Sequence, residues 1–463
     1  MKRIFAVTSP KQLSRRSFLQ LSSVSCLAVS SGTPSFVAAN SLPASPITQA
    51  AGVSRNTTMQ TAIREFLNKM TCRREEVDAF LDKDKPNWAK FDPELGYTLR
   101  DNILKDGMDN CRTITSYQKS GERRMINYAD RPCRINTYGN SFTQCHQVSD
   151  GETWQECLAA HMGEPVRNFG IGGYGFYQSY RRMVREEAGP LAAEYVILNI
   201  FGVDDHLRSI EAWRWLRIAD WWRTFEGHLF MFHANPWVHV RLDLNTGQLI
   251  ERQNPFNTPE SLYKLIDPEF VYEHFKDDLV VKLLVTGRNG TAADRDELDA
   301  LAKLLNVKAD FSSPETTAAT ARAVHLQYAL RSGMHIAEKA QVFAREKNKK
   351  LMIILSYESG IVERACGGFQ RPDQNLVDFL QEKSIPFVDV LTQHAEDFKA
   401  FKLSPKEYIL RYYIARGPRQ LSGHYKPLGN HYFAFAIKDP VVNWLEPRPT
   451  AYREGSETIP PVV

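Results

Sequence analysis

Long apolar runs alternating with amphipathic helical stretches predict an α/β protein whose mostly parallel sheet is covered on both faces. Three runs carry this reading. Residues 193–201 (AEYVILNIF) and 350–356 (KLMIILS) are almost unbroken in their apolar content, as strands buried on both sides require. Residues 386–391 (PFVDVL) form a third. Helical patterns stand around them at 153–162, 178–187, 318–347 and 376–382, with Gly163 as a stop signal after the first. A short strand is expected at 166–169, and another just before Gly139.

The chain has 463 residues, enough for one large domain or two or three ordinary ones. Its net charge of +4 belongs to the first 39 residues, which hold Lys2, Arg3, Lys11, Arg15 and Arg16 and no acid. The remainder carries 53 basic against 54 acidic residues, which excludes a nucleic-acid footprint. The start reads as an export signal over residues 1–39. The run Ser14-Arg15-Arg16-Ser17-Phe18-Leu19 resembles a twin-arginine signal, a modestly apolar stretch follows, and Val37-Ala38-Ala39 offers a cleavage site. No later segment has ~18 unbroken apolar residues, so the mature chain is expected to have no membrane-spanning helix and to be periplasmic or extracellular. Six cysteines remain beyond the leader: Cys72, Cys111, Cys133, Cys145, Cys157 and Cys366. An even number in an oxidising compartment permits disulfides without pairing them, and no Cys-x-x-Cys spacing supports a metal site.

Residues 40–132 read as a Ser/Pro/Ala-rich linker, a helix near 59–81 and a few short strands over 88–127. Residues 133–445 make the main domain. Its rhythm is interrupted at about 207–315, a stretch too long for a plain connection and therefore expected to be an insertion with its own structure. The insertion opens on a helical window at 212–225 with four tryptophans, suited to sugar stacking, a membrane surface or a lid, though its own core is the favoured use of such rings. Residues 237–251 look like a hairpin turning at Asn245-Thr246-Gly247. Residues 446–463 form a Pro-rich tail.

The stretch Gly139-Asn140-Ser141-Phe142-Thr143 places a serine after a sharp turn at the carboxyl end of a strand, where open α/β sheets bind ligands. A serine there becomes a nucleophile if a base reaches it. His424, in a loop before Pro427-Leu428-Gly429, is the base candidate, while His431 falls at a helix start and reads as structural. Four blocks then stand in the order found in the SGNH, or GDSL-type, hydrolases, and the chain resembles that superfamily over about 92–445, the insertion excepted. Gly139-Asn140-Ser141 resembles its nucleophile block. Asn168-Phe169-Gly170-Ile171-Gly172-Gly173 resembles the second block, Gly202-Val203-Asp204-Asp205 the third, and Gly423-His424 with the following turn the last.

The resemblance implies a three-layer α/β/α, flavodoxin-like core with Ser141 as nucleophile and His424 as base. The amides of Ser141 and Gly173 would bind the oxyanion, with Asp204 standing where the family's donor Asn lies. It implies no metal or organic cofactor. Three departures accompany it. Asn140 replaces an Asp. Asp204 replaces an Asn and, when ionised, accepts hydrogen bonds rather than donating them. Ser422 replaces the Asp that orients the histidine, leaving Ser422 or Asp205 to orient the ring and Asp204 or Asp205 to supply the missing charge. The expectation is an exported esterase acting on a small-molecule or glycan ester, with O-acetyl groups on carbohydrate first and a lipid ester or thioester second. The alternative is a glycan-binding protein that kept the fold and lost efficient catalysis.

Overall fold

The computed structural model describes residues 59–82, 84, 88–211, 237–416 and 421–454. The leader, the linker, the tryptophan-rich window and the end of the tail lie outside the described residues.

The chain is α/β, and among the described residues its centre is one parallel sheet of five strands, Phe387–Asp389, Lys350–Ser356, Tyr195–Phe201, Ile135–Tyr138 and Arg167–Asn168 in that order. Strands are numbered along the chain: β1 Ala89–Asp92, β2 Gly96–Leu99, β3 Asn102–Leu104, β4 Thr113–Thr115, β5 Ile135–Tyr138, β6 Arg167–Asn168, β7 Tyr195–Phe201, β8 His239–Leu242, β9 Leu249–Arg252, β10 Lys350–Ser356, β11 Phe387–Asp389, β12 Tyr413–Arg416 and β13 Leu421–Tyr425. β7 is buried along its whole length, which is why seven residues contain only one polar side chain, Asn199. That side chain is satisfied inside the core: its Nδ2 donates to Thr143 Oγ1 at 3.0 Å, and its Oδ1 accepts from Ser356 Oγ at 2.8 Å.

Alternate residues of β5 show both faces covered. Thr137 Oγ1 accepts from Gln155 Nε2 at 3.1 Å, on helix Trp154–Met162. Asn136 Nδ2 and Tyr138 OH both donate to Glu187 Oε1, at 2.7 and 2.8 Å, just beyond helix Phe176–Glu186. With the first face go helices Val390–Phe398, Pro405–Tyr412 and Pro427–Trp444; with the second go Gly202–Ser209 and the 33-residue Pro314–Glu346. Among the described residues no helix is long and apolar enough to cross a membrane.

The hairpin expected near Asn245 is β8 with β9, joined by a turn in which Gly247 has φ of 69° and its N–H donates to Asp243 O at 2.7 Å. Helices Pro268–Phe275, Leu279–Asn289 and Arg295–Leu304 follow, and the first two pack on the N-terminal helix Met59–Met70. Their buried apolar residues are continuous with those of the sheet, so this segment shares the main core.

Two readings are corrected. Residues 421–425 form strand β13, antiparallel to β12, where a loop was expected. The third apolar run is strand only over Phe387–Asp389, because the Asp389 carboxylate caps the next helix by accepting from Leu391 N–H at 3.2 Å. The even cysteine count permits disulfides, and Cys111, Cys133, Cys145, Cys157 and Cys366 form none among the described residues.

The site-bearing turn after β5 is tied down by a buried arginine. Arg123 is 1 % exposed, and its Nη1 donates to Gln144 O at 2.5 Å and Cys145 O at 2.9 Å. Its Nη2 donates to Val148 O at 2.7 Å, and its Nε pairs with Asp150 at 2.9 Å. Removing the guanidinium strands three carbonyls and a carboxylate together. Arg123→Ala is therefore expected to lose about 3–5 kcal/mol of stability in urea unfolding; a loss below about 1 kcal/mol would show that the carbonyls find other donors.

Candidate active site

Ser141 lies at the start of a four-residue helix, Ser141–Gln144, capped by Asn140, whose Oδ1 accepts from Phe142 N–H at 2.8 Å. The turn before it depends on glycine. A Cβ on Gly139 would stand 2.1 Å from Thr143 Oγ1 and 2.7 Å from Asn199 O. The loop after β6 meets the same short helix. A Cβ on Gly170 would stand 2.1 Å from Gln144 N, and one on Gly172 would stand 2.7 Å from Gln144 Oε1. Glycine at these positions is what lets the two carboxyl-end loops touch.

His424, on β13, closes the site. Its Nε2 is 2.7 Å from Ser141 Oγ. The ring stands over Phe142, 5.0 Å between centroids, and Phe142 is itself stacked on Phe201 at 3.8 Å. On the far side of the ring, Nδ1 is 2.6 Å from Gln147 Oε1. The same oxygen accepts the His424 backbone N–H at 3.0 Å, and Gln147 Nε2 donates to Asp106 O at 2.7 Å. The Asp106 carboxylate lies 3.0 Å from His146 Nε2, and the His146 ring is 5.1 Å from that of His424. Gln147, His146 and Asp106 were not anticipated.

Two backbone amides are open beside Ser141. Gly172 N–H is used, donating to Gln144 Oε1 at 2.7 Å. Among the described residues, the N–H groups of Ser141 and Gly173 donate to no protein acceptor. Gly173 has φ of 86°, a conformation that favours glycine, so its amide orientation is set by a backbone that other residues rarely adopt. Both residues, like His424, are partly exposed.

The acids of the third block take other parts than expected. Asp204 forms an ion pair with Arg208 one helical turn on, so it stands as an ionised acceptor and does not supply the third oxyanion donor. Asp205 does not face His424. It is fully buried, accepting Asn140 Nδ2 at 2.7 Å and Phe201 N–H at 2.8 Å. Burial pushes its carboxyl up to about 8, against the pull of Arg208 and the two donors. The Ser422 side chain lies outside the described residues, and the orienting place it was given is filled by Gln147. A further acid, Glu358, follows β10, where a Cβ on Gly202 would stand 3.7 Å from its Oε2. Burial and the nearby Asp204 push it up to about 7.

No family model matches the chain, and no curated protein gives a significant match.

Asn140 and Asp205 explain each other, since an amide donor meets a carboxylate. Asn140→Asp would set two carboxyls 2.7 Å apart. They hold while they share one proton, and repel once both ionise. A carboxyl raised above its unfolded value contributes stability that is present at low pH and lost as pH rises through the folded value. The penalty of Asn140→Asp relative to wild type should therefore grow by roughly 1–3 kcal/mol between pH 6 and 9. In the exchanged pair Asn140→Asp/Asp205→Asn, urea midpoints should show no such growth. A penalty independent of pH would contradict the pairing.

Proposed function

We propose that this protein is an exported serine esterase with an SGNH-type core. On this reading it hydrolyses esters by a Ser141 acyl-enzyme route, with O-acetyl groups on carbohydrate as the first substrate class. The observation that carries the reading is the 2.7 Å approach of His424 Nε2 to Ser141 Oγ at the carboxyl edge of a parallel sheet. The order of the four motif blocks supports the family, and the paired arginines Arg15 and Arg16 support export.

In this mechanism Ser141 Oγ attacks the ester carbonyl while His424 Nε2 takes its proton. The N–H groups of Ser141 and Gly173 receive the developing oxyanion. Protonated His424 then gives its proton to the leaving alkoxide, releasing the alcohol. Water attacks the acyl-enzyme with His424 again as base, and Ser141 recovers its proton as the acid leaves. Two donors serve the oxyanion here, because Asp204 is held by Arg208. The ion pair and Glu358, both partly exposed, form a polar rim on neighbouring strand ends, which favours an alcohol portion rich in hydroxyls.

Hydrolysis of a short-chain aryl ester tests the reading. Wild type should turn over, and Ser141→Ala and His424→Ala should each lose at least ~100-fold in kcat/KM. Equal rates for Ser141→Ala and wild type would remove Ser141 from the reaction.

A further inference from the structure

We infer that Gln147 is the positioning residue of this site, a neutral side chain that holds His424 where serine hydrolases ordinarily use a carboxylate. The inference deepens the esterase reading and rests on it for the reaction, but the geometry of the imidazole stands by itself.

Substituting an amide for the carboxylate of a Ser-His-Asp site normally harms catalysis, because the NH2 end turns to the ring and selects the wrong tautomer. Here the amide cannot turn. Asp106 O is a carbonyl and only accepts, so the atom facing it at 2.7 Å must be the Gln147 nitrogen. The His424 backbone N–H only donates, so the atom facing it at 3.0 Å must be the Gln147 oxygen. The oxygen is therefore also the atom 2.6 Å from Nδ1, and Nδ1 carries the hydrogen. Nε2 is left with its lone pair directed at the Ser141 hydroxyl. The tautomer needed for general-base action follows from two backbone groups and one amide.

The surroundings are built to this arrangement. Gln147 has φ of 74°, a left-handed conformation that costs a non-glycine residue about 1–3 kcal/mol unless its surroundings impose it. It is 5 % exposed. A Cβ on Gly423 would stand 2.7 Å from Gln147 Oε1, so glycine before the catalytic histidine is what admits the amide. Asp106 is itself fixed by the β3–β4 hairpin, where Thr113 Oγ1 donates to its Oδ1 at 2.6 Å.

An amide orients the ring without neutralising the imidazolium formed during each turnover. Near the ring stand two ionisable groups, His146 from the turn after helix Ser141–Gln144 and Asp106 behind it on the hairpin. Asp106 faces His146, and the atom set against His424 Nδ1 at 2.6 Å is the Gln147 amide oxygen. Gln147→Glu would place a carboxylate there.

The test reads the His424 ring by 15N NMR in wild type, Gln147→Glu and Gln147→Leu, assigned by loss of its signals in His424→Ala, beside pH profiles of aryl-ester hydrolysis. Wild type should show protonated Nδ1 and unprotonated Nε2 in the neutral ring. In Gln147→Glu the titration midpoint of the ring and the acid limb of kcat/KM should both rise by about one pH unit or more. Gln147→Leu should lose at least ~10-fold in kcat with KM changed less than ~3-fold, and Gln147→Glu, which keeps the acceptor, should recover most of that loss. An Nε2–H tautomer in wild type, or the same midpoint in Gln147→Glu as in wild type, would overturn the assignment of Gln147. If the NMR results hold while wild type hydrolyses no ester, Gln147 keeps its role and the esterase reading falls.

Discussion

Ser141 and His424 are 283 residues apart in sequence and 2.7 Å apart in space. Much of the architecture bears on that closure. The parallel sheet brings the ends of β5, β6, β7 and β10 to one edge. Glycines at 139 and 170 then let backbones approach to distances that a Cβ would forbid, and Gly172 leaves room for the Gln144 side chain. Arg123 fixes the carbonyls at and after the end of helix Ser141–Gln144, and the β12–β13 hairpin brings in the histidine from 283 residues along the chain. Close approach is a steric demand, which is why the site is written largely in glycine.

A second theme is where the acids near Ser141 and His424 are directed. Asp205 is turned into the core and held by Asn140 and Phe201 N–H. Asp204 is held by Arg208, and Asp106 faces His146. Among the described groups set directly against His424 are three neutral ones: the Ser141 hydroxyl, the Phe142 ring and the Gln147 amide. A neutral partner gives up the carboxylate's stabilisation of the imidazolium. It gains an orientation fixed by hydrogen bonds alone, indifferent to the protonation of a third group.

The parts of this arrangement that could be read from sequence are those with local causes. β7 announces itself by seven residues buried on both faces, and the turn at Asn245-Thr246-Gly247 by its need for a positive φ. Gly139-Asn140-Ser141 and Gly423-His424 were legible because close approach leaves a compositional mark. Gln147 left none. It lies 277 residues from its partner, and its left-handed backbone is imposed by tertiary contacts rather than by residue type. The departure at Ser422 showed only that the histidine needed another acceptor, without pointing to one. Asp205 was misread for the same reason: two adjacent aspartates look alike in sequence, and helix geometry turns one to an arginine and the other to the core. Strand β13 was read as a loop because glycine and a following proline mask a pairing made with β12.

The most direct measurement of the central claim, that His424 activates Ser141, is covalent labelling with a serine-directed fluorophosphonate, read by intact mass and peptide mapping. The account predicts one adduct per chain, on Ser141, formed in wild type and lost in His424→Ala. A wild-type protein that stays unlabelled, or an adduct on a different serine, would contradict it.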